Sequence, residues 1–358
     1  MHPAQPTRSA RPVRCGIVPP HLLTRLADLQ DPALSIASRA ARHALLELDP
    51  LVTHRSEGLR APVRGMPMVA GSLERRVHDA ESREELPGRL VRPEGAGPTE
   101  DAATDEAYDG LGATYGLFSE EYGRSSIDGA GKALEATVHY GTRYDNAFWD
   151  GERMVFGDGD GEIFGRFTAS LTVISHELTH GFTQYSTNLE YQGQSGALNE
   201  SLSDVFGVLV EQREMRQDAD AATWLIGAGI FTEQVEGAAL RSMRAPGTAY
   251  DDDVLGKDPQ PATMADYVET TSDNGGVHIN SGIPNHAFYL AATAAGGPAW
   301  NGVGHAWYDA VMSGEVLADC DFPSFARATI AAAGKRFGPG SREADAVVGA
   351  WSQVGVLP

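Results

Sequence analysis

Near the middle of the chain, two histidines and a glutamate have the types and spacing of ligands for one metal ion. The sequence His176-Glu177-Leu178-Thr179-His180 is followed, nineteen residues later, by Asn199-Glu200. Because positions four apart share one face of a helix, the two imidazoles can bind the same ion. Two histidines and one glutamate are a zinc-binding set that leaves the fourth coordination position open for water. The spacing therefore predicts a catalytic zinc site formed by His176, His180 and Glu200.

Two more carboxylates are placed to serve this site. Glu177 lies one position round the helix from His176, close enough to reach a metal-bound water without binding the metal. Asp204 follows Glu200 by one helical turn, so it can accept the free N–H of a ligand histidine and fix its tautomer. The alternative is an amphipathic helix whose histidines are ordinary surface or core residues.

The predicted ligands lie on two amphipathic helices. Apolar residues recur at helical spacing in each, namely Leu171, Ile174, Leu178 and Phe182 in the first and Leu198, Leu202, Val205, Phe206 and Leu209 in the second. Hydroxyl groups that can cap a helix precede both stripes, at Thr168 and Ser170 and at Ser195. We therefore predict that the second helix runs from Ser195 to about Glu214.

The composition limits the classes of partner. The chain has 358 residues, 42% of them hydrophobic, which is enough for two lobes with cores and an appendage. The net charge of −21 argues against nucleic acid or an anionic membrane as a partner. No apolar run approaches the length of about 18 residues that is needed to cross a bilayer. We expect a soluble monomer.

The first 70 residues differ from the rest. They carry a net charge of +4, whereas the remaining residues carry −25, which suggests a leader that binds its own acidic body; an accident of composition is the alternative. Residues 20–49 have the pattern of one or two helices, and 50–71 that of an exposed, cleavable linker. Residues 1–14 lack the apolar core of a secretory signal. We expect cytoplasmic synthesis without a classical signal peptide, with leaderless release as the alternative.

The order of patterns predicts an α+β fold with two lobes. Short alternating segments lie between residues 73 and 165, whereas helix follows helix from Thr168 onward. Gly157-Asp158-Gly159-Asp160-Gly161 is a turn between strands or, as the alternative, a calcium loop. We divide the chain into a propeptide (1–70), a β-rich lobe that includes the zinc helix (71–186) and a helical lobe (187–358).

From about Leu73 to the C-terminus, the chain resembles the thermolysin-like zinc metallopeptidases. Five ordered strings carry the resemblance: Asn146–Trp149, His176–Gly181, Tyr191–Glu200, Leu240–Met243 and Asp273–Gly282. In the leader, Pro19-Pro20-His21-Leu22-Leu23 is similar to the Pro-Pro motif of the short-propeptide, protealysin-like branch. The resemblance implies a two-lobe zincin that is made as an inhibited precursor, with Pro19, Pro20 and Leu22 belonging to the inhibitory motif.

The resemblance also implies roles for single residues. His176, His180 and Glu200 would bind one Zn²⁺, and Glu177 would be the general base. Tyr191 and His278 would donate hydrogen bonds to the oxyanion. Asp204 and Asp273 would orient a zinc histidine and His278. Asn146, Ala147 and Arg241 would align the peptide. The walls of the pocket after the scissile bond would be Phe164, Phe167, Val173, Ile226, Ile230 and Leu240. Because all six wall residues are apolar, we expect internal cleavage before bulky hydrophobic residues of protein or peptide substrates.

One departure from the family concerns calcium. The positions that match its double calcium site hold Thr172, Thr223, Leu225 and Ala228, and only Glu211 remains acidic. Calcium needs six to eight oxygen ligands, so we expect none there.

Three rival interpretations remain. A thiolate of Cys15 is an alternative means of blocking the metal, since sulfur is a good zinc ligand. A zinc aminopeptidase would need a carboxylate cluster for the free amine, and no such string is found. An inert binding protein would have to lack a catalytic group, yet Glu177, Tyr191 and His278 are all present.

Overall fold

The computed structural model describes residues 15–48 and 72–358. The leader contributes a short strand and two helices: β1 (Cys15–Gly16), α1 (Pro20–Ala27) and α2 (Ser35–Glu47). The predicted linker at 50–71 lies outside the described residues, as does the side chain of Cys15. The proposed contact between that thiol and the metal therefore stays a prediction.

The first lobe is built on a six-stranded mixed sheet. Its elements are β2 (Arg75–Asp79), β3 (Arg89–Pro93), α3 (Ala102–Gly116), β4 (Leu134–Val138), β5 (Ala147–Trp149), β6 (Met154–Phe156) and α4 (Leu171–Gln184). The strand order is β1-β5-β6-β4-β2-β3, with β4 parallel to both of its neighbours. The leader strand β1 pairs antiparallel with β5, so the leader extends the sheet of the lobe.

The second lobe is mostly helical. Its elements are α5 (Gly193–Met215), β7 (Leu225–Ile226), β8 (Arg241–Ser242), β9 (Asp251–Asp252), β10 (Gly256–Lys257), α6 (Asp273–Asn280), α7 (Gly282–Ala295), α8 (Gly304–Met312), α9 (Phe322–Phe337) and α10 (Arg342–Gln353). Residues 172–183 of α4 are buried, because that helix packs against α3 on one side and α5 on the other. The predicted α+β architecture with the metal helix between the lobes is confirmed.

The helix starts differ from the prediction in detail. Helix α5 begins two residues before Ser195, whose hydroxyl donates to the carbonyls of Glu190 and Gln192 instead of capping the helix. Ser170 is the N-cap residue of α4, but its hydroxyl bonds Thr172 Oγ1 and caps no backbone N–H. Both helices therefore start without the predicted side-chain caps, because they are stabilised mainly by burial.

The leader helices form a hairpin on the body. Ser38 Oγ and Arg42 Nε of α2 both donate to the carbonyl of Ala27 at the end of α1, at 2.9 and 2.8 Å. Leu22, Leu23 and Leu26 of α1 are buried. Among the described residues, no helix is both long and apolar enough to cross a membrane.

Candidate active site

Helices α4 and α5 bring the three predicted zinc ligands together in the interior. His176 Nε2 lies 3.0 Å from His180 Nε2. Glu200 Oε2 lies 3.5 Å from His176 Nε2, and Glu200 Oε1 lies 3.5 Å from His180 Nε2. A tetrahedral zinc ion with bonds of about 2.0–2.2 Å needs ligand atoms roughly 3.3–3.5 Å apart. The two separations to Glu200 match this spacing, and the three side chains are grouped closely enough to hold one metal ion.

The hydrogen bonds of the two imidazoles leave their Nε2 lone pairs for a metal. His176 Nδ1 lies 2.8 Å from Asp204 Oδ1, and His180 Nδ1 lies 2.9 Å from Asn199 Oδ1. Because both partners are acceptors, the proton of each ring is assigned to Nδ1. Burial lowers the pKa of His180 to about 4, so its imidazole is neutral, as a metal ligand must be.

Asp204 connects His176, a candidate metal ligand, to Arg241, which is predicted to align a peptide. It accepts from His176, from Arg241 Nε and Nη2 at 2.9 Å each, and from Asn285 Nδ2 at 2.8 Å. Burial alone would raise the pKa of Asp204, but Arg241 and His176 lower it to about 2. The carboxylate is therefore ionised and holds both His176 and Arg241 in place.

Glu177 is a buried carboxyl beside the candidate zinc ligands that no regular hydrogen bond satisfies. It is fully buried, and neither of its oxygens has a hydrogen-bond partner among the described residues. Burial raises its pKa well above the ordinary value, and the charge of Glu200 raises it further, while Arg241 and a weak backbone contact with Trp149 lower it. A buried carboxyl with open acceptors is suited to take a proton in a reaction.

A left-handed turn brings His278 to the site. Residues 273–276 at the start of α6 all have positive φ, between 50° and 82°, a conformation that Gly275 and Gly276 adopt without strain. Asp273 thereby lies 2.6 Å from His278 Nδ1 and also accepts its backbone N–H. Burial would lower the pKa of His278, but Asp273 and Glu200 raise it to about 9. Nε2 of His278 lies 3.2 Å from the hydroxyl of Tyr191, so two donors converge.

The leader lies across these groups through the residues that follow β1. Ile17 N–H donates to the Ala147 carbonyl at 3.0 Å, and the Ile17 carbonyl accepts from Arg241 Nη1 at 3.1 Å. Val18 N–H donates to Asn146 Oδ1 at 2.9 Å. All three residues predicted to align a peptide thus bind the backbone of the leader.

The carbonyl of Gly16 points toward His278. It lies 3.1 Å from His278 Nε2, which brings the Gly16–Ile17 peptide bond beside the donors of the site. A Cβ at position 16 would lie 2.5 Å from Asn146 Nδ2, so only glycine allows this approach. Pro19 and Pro20 follow at the start of α1, and Leu22 is buried below them.

The six predicted pocket residues are all buried, with at most 2% of the surface of each exposed. The rings of Phe164 and Phe167 pack 5.6 Å apart, and Leu240 N–H donates to the Ile226 carbonyl. The side chains of Leu240 and Ile230 meet beside Gly227. Val173 lies on α4 of the same core.

The sequence did not single out several residues that touch the site. Asn199 holds His180, and Asn285 holds Asp204. Asn199 could have been found from the sequence, because it directly precedes Glu200 within the string Tyr191–Glu200 that carries the family resemblance. Gly16, Ile17 and Val18 could not have been found in this way, since their contacts join residues more than one hundred positions apart.

Residues 76–184 match the thermolysin metallopeptidase catalytic domain, and residues 187–356 match the thermolysin metallopeptidase alpha-helical domain. The chain belongs to the thermolysin family of metallopeptidases. It is 49% identical to an extracellular metalloprotease of Pectobacterium carotovorum subsp. carotovorum over 97% of both chains. It is 46% identical to protease PrtS of Photorhabdus sp. (strain Az29), over 81% of this chain and 78% of the relative.

A solved structure extends this similarity to the leader. The precursor of protealysin, a metalloproteinase from Serratia proteamaculans, matches with a TM-score of 0.86 and 49% identity, covering 96% of this chain and 100% of that one. The predicted thermolysin-like fold with short N-terminal helices is confirmed. The chain is a thermolysin-family metalloendopeptidase, and His176, His180 and Glu200 are its candidate zinc ligands.

The prediction of a cytoplasmic location is wrong. The relative from Pectobacterium, which the chain matches almost throughout, is named an extracellular metalloprotease.

Proposed function

We propose that this metalloendopeptidase is made as a zymogen whose leader inhibits it by occupying the substrate cleft. The observation that carries the proposal is the backbone of Gly16, Ile17 and Val18, which bonds His278, Ala147, Arg241 and Asn146. Those four residues are the ones predicted to align a peptide or to stabilise its reacting carbonyl. A segment bound in this way excludes other peptides from the metal site. We propose 1–70 as the propeptide, with 71–186 and 187–358 as the two lobes.

The mechanism assigns one task to each residue. Zinc held by His176, His180 and Glu200 would polarise the scissile carbonyl and lower the pKa of the attacking water. Glu177 takes a proton from that water and passes it to the leaving amine.

The peptide and the developing oxyanion are held by other residues. His278 and Tyr191 donate hydrogen bonds to the oxyanion, and loss of one such donor typically costs about 10²–10³ in rate. Asn146, the Ala147 carbonyl and Arg241 hold the backbone so that the scissile bond lies beside Glu177.

We propose cleavage before bulky hydrophobic residues. In the leader, Ile17 occupies the position directly after the Gly16 carbonyl, and Ile17 is fully buried. The apolar residues Phe164, Ile230 and Leu240 are expected to form the walls of the pocket for the side chain after the scissile bond. A substrate with leucine or phenylalanine at this position would bury the same kind of surface.

A chelator experiment tests the proposed function. Mature protein is assayed on an N- and C-terminally blocked peptide with leucine after the scissile bond and on a matched peptide with aspartate there. We expect cleavage of the leucine peptide alone, and its complete loss on treatment with a zinc-selective chelator followed by recovery on adding zinc. Cleavage only of peptides with a free amine would instead indicate an aminopeptidase.

A calcium-selective chelator serves as the control in the same assay. The candidate calcium positions carry Thr172, Thr223, Leu225 and Ala228, which supply no carboxylate. We therefore expect activity and melting temperature to be unchanged by this reagent. A fall of more than a few degrees in the melting temperature would contradict the proposal that the family's double calcium site is absent.

Contacts outside the catalytic centre also hold the leader. Glu162 Oε2 accepts the backbone N–H groups of Ile36 and Ala37 at 3.2 and 2.9 Å, so the body caps the N-terminus of α2. Arg25 donates to the carbonyls of Val254 and Asp253, and His43 Nε2 lies 2.9 Å from Glu84 Oε1. These contacts lie along both helices of the hairpin.

Replacing Glu162 with alanine is expected to weaken inhibition by the leader. Loss of a helix cap costs about 0.5–2 kcal/mol, which corresponds to a roughly 2–30-fold increase in the fraction of released leader. The measurement is the initial peptidase activity of the purified full-length chain. The matched control is the exposed Glu233→Ala, which changes the net charge equally. Equal precursor activity in both variants would show that the cap does not hold the leader.

A further inference from the structure

Two buried carboxyl groups, Asp145 and Asp160, face each other behind the peptide-binding cleft. Asp145 is fully buried and Asp160 is 5% exposed. Among residues 15–48 and 72–358, no donor makes a regular hydrogen bond to either oxygen of Asp145 or to Oδ2 of Asp160. The side chain of Asp160 is nevertheless within hydrogen-bonding reach of Asp145. Two ionised carboxylates cannot bond each other, because each is an acceptor only.

Asp160 is already anchored as an acceptor. Its Oδ1 receives the backbone N–H groups of Glu162, Ile163 and Phe164 at 2.5, 2.6 and 3.3 Å. Its other oxygen, Oδ2, is the one that lacks a donor. A single proton on Asp145 would satisfy this oxygen.

The surroundings of Asp145 favour its neutral form. Burial raises the pKa of Asp145 well above its ordinary value, and Asp160 raises it further through its charge and hydrogen bond, while the Asp160 backbone lowers it only in part. The charge of Glu162 also raises the pKa of Asp145. The neighbouring Asp158 carries its own counterion, since it lies 2.9 Å from His139 Nδ1.

We propose that Asp145 is held as a carboxylic acid that donates its proton to Asp160, and that this shared proton positions the wall of the substrate cleft. Asp145 directly precedes Asn146, whose side chain binds the extended peptide backbone at Val18. Asp160 belongs to the loop that carries Glu162 and Phe164.

Backbone hydrogen bonds join the two segments on either side of the shared proton. Gly157 N–H donates to the Asn146 carbonyl at 3.0 Å, and Gly159 N–H donates to the Tyr144 carbonyl at 3.2 Å. Loss of the shared proton would place two like charges between these segments. Asp145 is thus a positioning residue, which acts on the peptide through Asn146.

The first test measures unfolding of the full-length chain carrying Glu177→Ala, which prevents self-processing. A group whose pKa is raised by folding makes its full contribution to stability below its unfolded pKa, about 3.9 for aspartate, and loses it as the pH rises toward the folded value. Asp145→Asn donates the same hydrogen bond but cannot ionise. Its melting temperature should equal that of the parent at about pH 4 and exceed it by about 2 °C or more at about pH 8.

Asp145→Ala is the matched variant without a donor, and its melting temperature should lie below that of the parent at about pH 4. If Asp145→Asn loses as much stability as Asp145→Ala at every pH, the proton-sharing proposal is overturned. The proposal is equally overturned if an added cation raises the melting temperature of the parent but not that of Asp145→Asn. A bound ion would then join the two carboxylates.

The second test is kinetic and rests on the proposed function. In the mature enzyme, the KM for a blocked peptide should rise about threefold or more between about pH 6 and about pH 8, below the pKa of His278, and this rise should be absent in Asp145→Asn. The ratio of kcat values at the two pH values should be the same in both proteins. A parallel rise of KM in the variant would overturn the positioning role. Complete lack of peptidase activity would overturn the proposed function, while the unfolding test would still decide whether the proton is shared.

Discussion

Glu177→Ala is expected to lower kcat/KM for a blocked internal peptide by about 10²–10⁴-fold, the usual contribution of a general base. Glu177 is fully buried, and no regular hydrogen bond occupies its oxygens among the described residues. It lies next to His176 on α4, so it is the acidic side chain placed to take a proton beside the metal ligands. The measurement is steady-state hydrolysis by protein whose leader has been removed with an added protease of another class, together with gel analysis of the untreated 38.1 kDa precursor. We expect the variant precursor to persist intact while the parent shortens.

The zinc content separates loss of the base from loss of the metal. Because Glu177 is not among the three ligands, Glu177→Ala should retain one zinc ion per chain. Glu177→Gln, which keeps the shape but is not a base, should be as inactive as the alanine variant. Full activity in either variant would show that Glu177 is not the general base. Loss of zinc from the variants would show that Glu177 supports the metal site structurally.

Arg241→Met is expected to destabilise the protein by about 3–5 kcal/mol, because it leaves the Asp204 carboxylate buried without its main counterion. Arg241 makes two bonds of 2.9 Å to Asp204, and the exposed fractions of the two side chains are 1% and 0%. The measurement is urea unfolding of the full-length chain carrying Glu177→Ala, with the free energy of unfolding compared between variants.

The exposed pair Arg336–Asp309 provides a control with similar geometry. Arg336 also makes two bonds to its aspartate, of 2.6 and 2.9 Å, but the side chains are 37% and 31% exposed. Arg336→Met should therefore cost at most about 1 kcal/mol.

A double variant tests the cause of the loss at Arg241. Arg241→Met combined with Asp204→Asn should recover part of the lost stability, because neither partner then leaves an unpaired buried charge. Equal losses in Arg241→Met and Arg336→Met would show that burial of the ion pair does not decide its contribution.

Several parts of the candidate site could be predicted because they depend on local sequence. His176 and His180 share a helix face through their spacing alone, and Glu200 and Asp204 do the same on α5. The pairing of Asp273 with His278 came from the family resemblance, and the structure shows that the Asn-Gly-Gly sequence forms the left-handed turn that brings the two together. The fold class was predictable for a similar reason, since alternation and helical periodicity are local patterns.

Other features were decided only by the tertiary structure. The cap on α2 joins Glu162 to Ile36, and the peptide-like contacts join Gly16 to His278 across 262 positions. Nothing in the spacing of such residues indicates that they meet, because each pair is brought together by the packing of whole elements. The start of α5 before Ser195 has the same cause, since burial of the helix outweighs one side-chain cap.

The sequence by itself thus determined the chemistry of this protein, through a ligand set and a base that two helices present by their periodicity. The tertiary structure decided which backbone atoms of the leader contact the candidate site, and it left Asp145 facing Asp160. The physical reason is that metal ligation requires a few side chains at fixed local spacing, whereas burial of charge and backbone docking depend on surfaces that exist only after folding.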